Sequence, residues 1–244
     1  MLEQELVLER SLFFFLNGHH TALWDVFFGL ISNKWAWVPF YACFLFVFVY
    51  KKNWKEIVLV VLSVVLVITL CDQISAHVAR PFFQRFRPTH HPDFQDIVQT
   101  VRNERGGLYG FFSSHATNAF GFAVFTSLLF KNRWLTATML LFALLTGYSR
   151  IYLGLHFVSD VVAGAVVGSA IAWGVYKLYV AGCQWWLSGR TMGGRMGNRK
   201  DSPYAYMQKF VYSRQEIYGL CIAFFIFIAF FFIFSCISQF FTLT

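Results

Sequence analysis

His156 and Asp160, in the stretch SRIYLGLHFVSD at positions 149–160, stand four residues apart where an apolar run begins. On a helix that spacing puts both side chains on one face, where the carboxylate can orient the imidazole and stabilise its charge. An imidazole so held is an activated nucleophile or base. The same pair can also be a histidine and an aspartate at a membrane edge that simply satisfy each other. Upstream, Arg80, Arg85 and Arg87 are punctuated by Pro81 and Pro88. A guanidinium is a planar fork of donors that fits phosphate oxygens and stays charged, so a cluster of them suits a phosphate ligand or a rim that touches anionic headgroups. Between the two lies GFFSSHATNAFG, with Ser113, Ser114 and His115 at the entry to another apolar run. A serine there is an N-cap, and the amides it leaves free at a helix start can bind an anion. His115 reads as a solvated interfacial histidine or, beside arginines and a second histidine, as a proton donor.

The elements that carry these residues must be membrane helices. The 244-residue chain is 57% hydrophobic, 20% aromatic and only 13% charged, with a mean hydropathy of +0.54, far from the roughly 25% charge of soluble domains. The near-continuous apolarity excludes a barrel, which would alternate. The expected fold is all-α: a polytopic transmembrane bundle of about six spans, five in the core plus one at the C-terminus, preceded by an interfacial helix. The spans are expected at Trp35–Tyr50, Ile57–Val78, Phe112–Phe130, Trp134–Tyr148, Phe157–Val180 and Ile217–Phe241. The first is short for the roughly 20 residues a bilayer needs. The expected organisation is an N-terminal interfacial segment over 1–31, a core over 32–182, a basic cytoplasmic connection over 183–214 and a last helix over 215–244. Glu3, Glu5 and Glu9 replace the basic start of a secretory signal, and none is expected.

Lysine and arginine counts set the orientation. Lys51, Lys52, Lys55, Lys131, Arg133, Lys177 and the GRTMGGRMGNRK connection gather on one face, which is expected to be cytoplasmic. Residues 80–110, the start of the third span and the turn between the fourth and fifth then meet at the other face. Arg80, Arg85, Arg87 and Arg150 remain there against the charge trend, as if retained for a ligand. The net charge of +8 is thereby divided between membrane faces and an anion site, and nucleic acid is not an expected partner.

Together the three segments resemble the type 2 phosphatidic acid phosphatase superfamily, integral-membrane lipid phosphatases whose site is similar to that of vanadium haloperoxidases. The family pattern is Lys or Arg, six residues, Arg-Pro; then Pro-Ser-Gly-His; then Ser-Arg, five residues, His, three residues, Asp. Here it is carried by Arg80 with Arg87-Pro88, by Phe112-Ser113-Ser114-His115, and by Ser149-Arg150 with His156 and Asp160. The resemblance implies that His156 attacks phosphorus to form a phosphohistidine, with Asp160 holding its ring, and that His115 protonates the departing lipid oxygen. It implies that Arg80, Arg87, Arg150, Ser113 and the backbone amide of Ser114 bind the phosphoryl oxygens, with no metal and no cofactor. The expected substrate is a membrane lipid phosphate or diphosphate, undecaprenyl diphosphate or a lipid A phosphate first, cleaved at the periplasmic face of the inner membrane. Phe112 in place of proline and Ser114 in place of glycine depart from the pattern; the Ser114 side chain must fit where none is expected. The alternative is a protein that binds or flips lipid phosphates without chemistry.

The other polar residues are expected to be structural. His19, His20, His77, His90 and His91 lack a partner at ligand spacing, and THHPDFQD reads as a solvated loop in preference to a metal site. Asp72 is expected to pair with a polar neighbour. The five cysteines lack C-x-x-C spacing and read as packing residues.

Overall fold

A computed structural model describes residues 2–187 and 212–242. The basic connection expected over 183–214 falls largely outside the described residues. Nearly all regular structure is helical: α1 (Leu2–Asn17), α2 (Ala22–Ser32), α3 (Val38–Val49), α4 (Trp54–Gln73), α5 (Arg80–Phe83), α6 (Ser114–Phe130), α7 (Arg133–Tyr152), α8 (Val158–Leu187) and α9 (Arg214–Thr242). A π-helical segment, Ile74–Ala79, joins α4 to α5, making one helical rod from Trp54 to Phe83. The chain is a polytopic helical membrane bundle. Among the described residues, four helices are long and apolar enough to cross a bilayer: Trp54–Phe83, Arg133–Tyr152, Val158–Trp186 and Arg214–Gln239. At 12 and 17 residues, α3 and α6 are shorter than the roughly 20 a straight crossing needs.

Helix starts follow side-chain capping. Thr21, Asn53, Ser113 and Asn132 each accept a hydrogen bond from an amide in the first turn of the helix that follows, satisfying donors that have no intrahelical partner. Thr21 explains a difference from the sequence reading. The N-terminal segment forms two helices with a break at residues 18–21, and its first helix is not isolated from the bundle. Phe13, fully buried, packs edge-on against Phe157 at 5.4 Å.

At one end of the bundle, Lys52 pairs with Glu216 at 3.3 Å and Trp54 meets Trp186 at 5.4 Å. That end gathers the basic residues at the turns before α4 and α7. The opposite end carries the starts of α6 and α8, the end of α7, and residues 84–113. This last segment is a folded loop: Arg87 N–H donates to Leu108 O (3.0 Å), Gly110 N–H to Arg85 O (2.9 Å), and Thr89 Oγ1 to Arg105 O (2.7 Å).

The helices α6 and α8 form the most intimate pair, because small residues line their contact. A Cβ on Gly168 would stand 2.2 Å from the carbonyl oxygen of Thr117, and one on Gly164 would stand 2.8 Å from that of Ser113. Close backbone approach of this kind is how helices associate where lipid removes the hydrophobic drive. Since α6 carries Ser113–His115 and α8 carries Asp160, it also sets the spacing of the site. Gly168→Ala is expected to cost about 1–3 kcal/mol, as overpacking does, and to lower phosphatase turnover. Gly174→Ala, where a Cβ meets nothing within 4 Å, is expected to leave both unchanged. Thermal unfolding in detergent and phosphate release check the pair.

Candidate active site

His156 lies in the short turn between α7 and α8, and Asp160 lies in the first turn of α8. Both are buried, with 1% and 0% of their surface exposed. The imidazole is held from both sides. Arg87 Nη1 stands 2.8 Å from Nε2 and also donates to the carbonyl of Leu155 at 2.9 Å. A guanidinium only donates, so Nε2 carries the lone pair and the ring proton sits on Nδ1. Nδ1 faces Asp160 Oδ2 at 3.4 Å. The carboxylate is itself fixed: Oδ2 accepts the Phe157 amide at 3.0 Å, and Oδ1 accepts Arg85 Nη1 at 2.8 Å. Gly110 closes over the pair, since a Cβ there would lie 2.9 Å from Arg87 Cγ and 3.4 Å from His156 Nδ1.

The other expected residues converge on the same point. Ser113 caps α6 through Ala116, and its own amide donates to the carbonyl of Asp160 at 3.1 Å. Its hydroxyl oxygen accepts in the cap and keeps its own proton to donate, beside the first-turn amides of α6. Ser114, unexpected in place of glycine, has a partner set of its own. Its Oγ accepts Arg80 Nη2 at 2.5 Å and Ser75 Oγ at 2.6 Å. The extra hydroxyl thus steadies an arginine. Arg150 reaches back to Ser32 Oγ. Arg87, Arg150 and Arg80 all act electrostatically on His156, and the same arginines act on His115. The Nε–H groups of Arg80, Arg87 and Arg150 are buried and lack a hydrogen-bond partner, leaving donors from two of the three segments to meet an anion.

Residues outside the motifs complete the frame. Asn17, at the end of α1 and 1% exposed, donates to the carbonyls of Gln99 (3.0 Å), Ile151 (3.3 Å) and Tyr152 (2.8 Å) and accepts the Gln99 amide (3.0 Å). His20, which lacks a partner at ligand spacing in the sequence, pairs with Asp25 at 2.8 Å and stacks on Tyr152. Glu9 contacts Arg85 and Ser159. These side chains tie the N-terminal helices to the turn that bears His156. Nothing in their spacing along the chain announces this, because their partners in the loop and in the turn lie 76 or more residues away. His91 stacks on Phe94 at 4.0 Å and lies 3.8 Å from Asp93. No group of three or more His, Cys, Asp or Glu among the described residues is placed to hold a metal.

A cavity of about 900 Å³ opens beside the site. It reaches Ser114, His115 and Asp72 at one end and runs between α3, α4 and α6 along Phe44, Val61, Val65 and Phe122.

Comparison with known proteins gives the family. The sequence pattern of the PAP2 superfamily matches residues 56–182. The chain belongs to the PAP2 superfamily. It is 47% identical over 186 residues to the lipid A 4′-phosphatase of Porphyromonas gingivalis, covering 76% of this chain and 79% of that one. It is 38% identical over 177 residues to the lipid A 4′-phosphatase of Bacteroides thetaiotaomicron, covering 72% and 79%. Among solved structures it is similar to LpxE of Aquifex aeolicus, with a TM-score of 0.52 and 28% identity over 68% of this chain and 93% of that one. Family, fold and relatives agree on a membrane lipid phosphatase.

The electrostatics of His156 give a test. Burial, then the positive charges of Arg87, Arg150 and Arg80, holds its imidazole well below the usual histidine range. Arg87, pushed down to about 10 by burial and Arg80, still carries its charge at neutral pH. The unfolded chain takes a proton at His156 near pH ~6.5, and the folded protein resists it. This contribution to stability is complete above that value and lost progressively as pH falls below it. His156→Gln, which cannot titrate, is expected to lessen the fall in thermal midpoint between about pH 7.5 and about pH 5. An equal fall in both proteins contradicts the buried neutral imidazole.

Proposed function

We propose that this PAP2 protein hydrolyses the phosphomonoester of a lipid A-type substrate at the periplasmic face of the inner membrane, through a phosphohistidine on His156. The observation that carries the reading is the disposition of that imidazole, with its lone pair on Nε2 toward Arg87 at 2.8 Å and its Nδ1 toward Asp160 at 3.4 Å. A bound phosphoryl group competes for Arg87, which moves its donors from Nε2 to phosphate oxygens and frees the lone pair. Nε2 then attacks phosphorus while the phosphorus–oxygen bond to the lipid breaks, and His115 gives its proton to the departing oxygen. Asp160 stabilises the positive ring that results. Arg80, Arg87, Arg150 and the Ser114 amide, with Ser113 setting the start of α6, stabilise the charge spread over the phosphoryl oxygens. In the second half, His115 takes a proton from water as the oxygen attacks phosphorus, and the bond to Nε2 breaks.

The cavity beside His115 supports a lipid substrate: its apolar walls suit hydrocarbon chains, and its polar end adjoins the arginines. The two lipid A 4′-phosphatases among the relatives support a lipid A phosphate over undecaprenyl diphosphate. The positive-inside distribution supports a periplasmic site, α1 and α2 along that interface, and α3 and α6 as short spans beside the four long ones. The organisation retained is a phosphatase core over 32–182 with terminal segments on either side.

Phosphate release from lipid A bisphosphate, undecaprenyl diphosphate, phosphatidylglycerol phosphate and phosphatidic acid in detergent tests the reading. Lipid A is expected to be cleaved fastest, with His156→Ala and His115→Ala each losing at least ~100-fold. Preference for undecaprenyl diphosphate overturns the substrate choice, and equal release by all three proteins overturns the catalytic one. Vanadate is expected to inhibit and EDTA to have no effect; loss of activity with EDTA points to a metal.

A further inference from the structure

Arg85 is the arginine of the first segment that the family pattern does not include, and it makes the most contacts. Nη1 donates to Asp160 Oδ1 at 2.8 Å and to Ser159 Oγ at 2.5 Å, while Nη2 donates to Glu9 Oε2 at 2.5 Å. Glu9 also takes the Ser159 hydroxyl, and the Ser159 amide at 3.3 Å. The guanidinium lies over the Phe157 ring at 4.6 Å, which limits its other positions. One cation therefore stands between two carboxylates: Asp160, wholly buried and facing His156, and Glu9 on α1, 19% exposed.

We propose that Arg85 and Glu9 are positioning residues for the phosphatase reaction, a balanced pair that holds Asp160 in register and sets how strongly it acts on His156. This rests on the reading of His156 as nucleophile. By occupying Oδ1, Arg85 leaves Oδ2 to face Nδ1 and supplies the counter-charge that a buried carboxylate requires. By drawing on the other half of the guanidinium, Glu9 prevents Arg85 from neutralising Asp160 fully. The two residues therefore act on Asp160 in opposite directions. Without Arg85, Asp160 is protonated more readily and no longer sets a negative charge against the ring. Without the charge on Glu9, Asp160 stays ionised to lower pH but is a weaker partner for the imidazolium. A plain structural tether from α1 to the loop makes no such distinction.

The test is kcat and the pH profile of kcat/KM, measured on whichever lipid phosphate the wild type cleaves fastest, for Arg85→Gln, Arg85→Lys, Glu9→Gln and His156→Ala. Arg85→Gln and Glu9→Gln are each expected to lower kcat by about 10–100-fold, the size typical of outer-shell partners, with little change in KM. The acid limb of the profile is expected to move to higher pH in Arg85→Gln and to lower pH in Glu9→Gln. Arg85→Lys, which keeps the charge, is expected to keep the wild-type limb, and the shift in Glu9→Gln carries the test if Arg85→Gln does not fold. Limbs that stay put in the glutamine variants, or shift together, overturn the proposal while an inactive His156→Ala leaves the nucleophile in place. An active His156→Ala overturns the reading beneath it.

Discussion

Asp160 is the joint of the structure. Its carboxylate is fully buried, and a charge in that position is stable only when it is paired and hydrogen-bonded on every side. The partners come from all three polar segments: Arg85 at 2.8 Å from the first, and the Phe157 amide at 3.0 Å and His156 at 3.4 Å from its own. The second segment meets its backbone, where the Ser113 amide donates to the Asp160 carbonyl at 3.1 Å. Removing one member of such a set leaves a buried group uncompensated, which makes the geometry of the site and the stability of this end of the bundle one problem.

Packing below the site fixes its scale. The approach of α6 to α8 through Gly164 and Gly168 brings the capped start of one helix against the first turn of the other. Above it, the N-terminal helices act as a clasp. Asn17 gathers the carbonyls of Gln99, Ile151 and Tyr152, and Tyr152 Oη donates to Asp25 at 2.7 Å. Buried backbone groups in an irregular turn need partners, and here side chains from the start of the chain supply them. The turn bearing His156 is therefore held by residues that take no part in phosphoryl chemistry.

The residues of the site were legible because chemistry restricts type and spacing. His156 and Asp160 stand four residues apart, though the first lies in the turn before α8 and only the second on the helix, and Arg80 and Arg87 bracket a proline-punctuated stretch. Ser114 was legible as a departure but not as a gain, since its partner Ser75 lies 39 residues away in a stretch that reads as the end of a membrane span. Glu9 and Asn17 were hidden for a different reason: polar residues scattered through an aromatic segment suggest an interface helix, and only tertiary contact shows that they face inward. The membrane class followed from composition. The break at residues 18–21 was written in Gly18-His19-His20 and the cap Thr21, but the mixed polar and apolar residues of 1–31 read as a single interfacial segment, and the lengths of α3 and α6 depend on caps and turns that hydropathy does not resolve.

The central claim is that the ring held by Asp160 attacks phosphorus itself and does not merely activate water. The stereochemical course at phosphorus tests this most directly, with a lipid phosphorothioate made chiral by one heavy oxygen isotope and hydrolysed in water carrying the other. Two successive displacements, first onto Nε2 of His156 and then onto water, predict overall retention of configuration. Inversion would mean a single attack by water and would contradict the account.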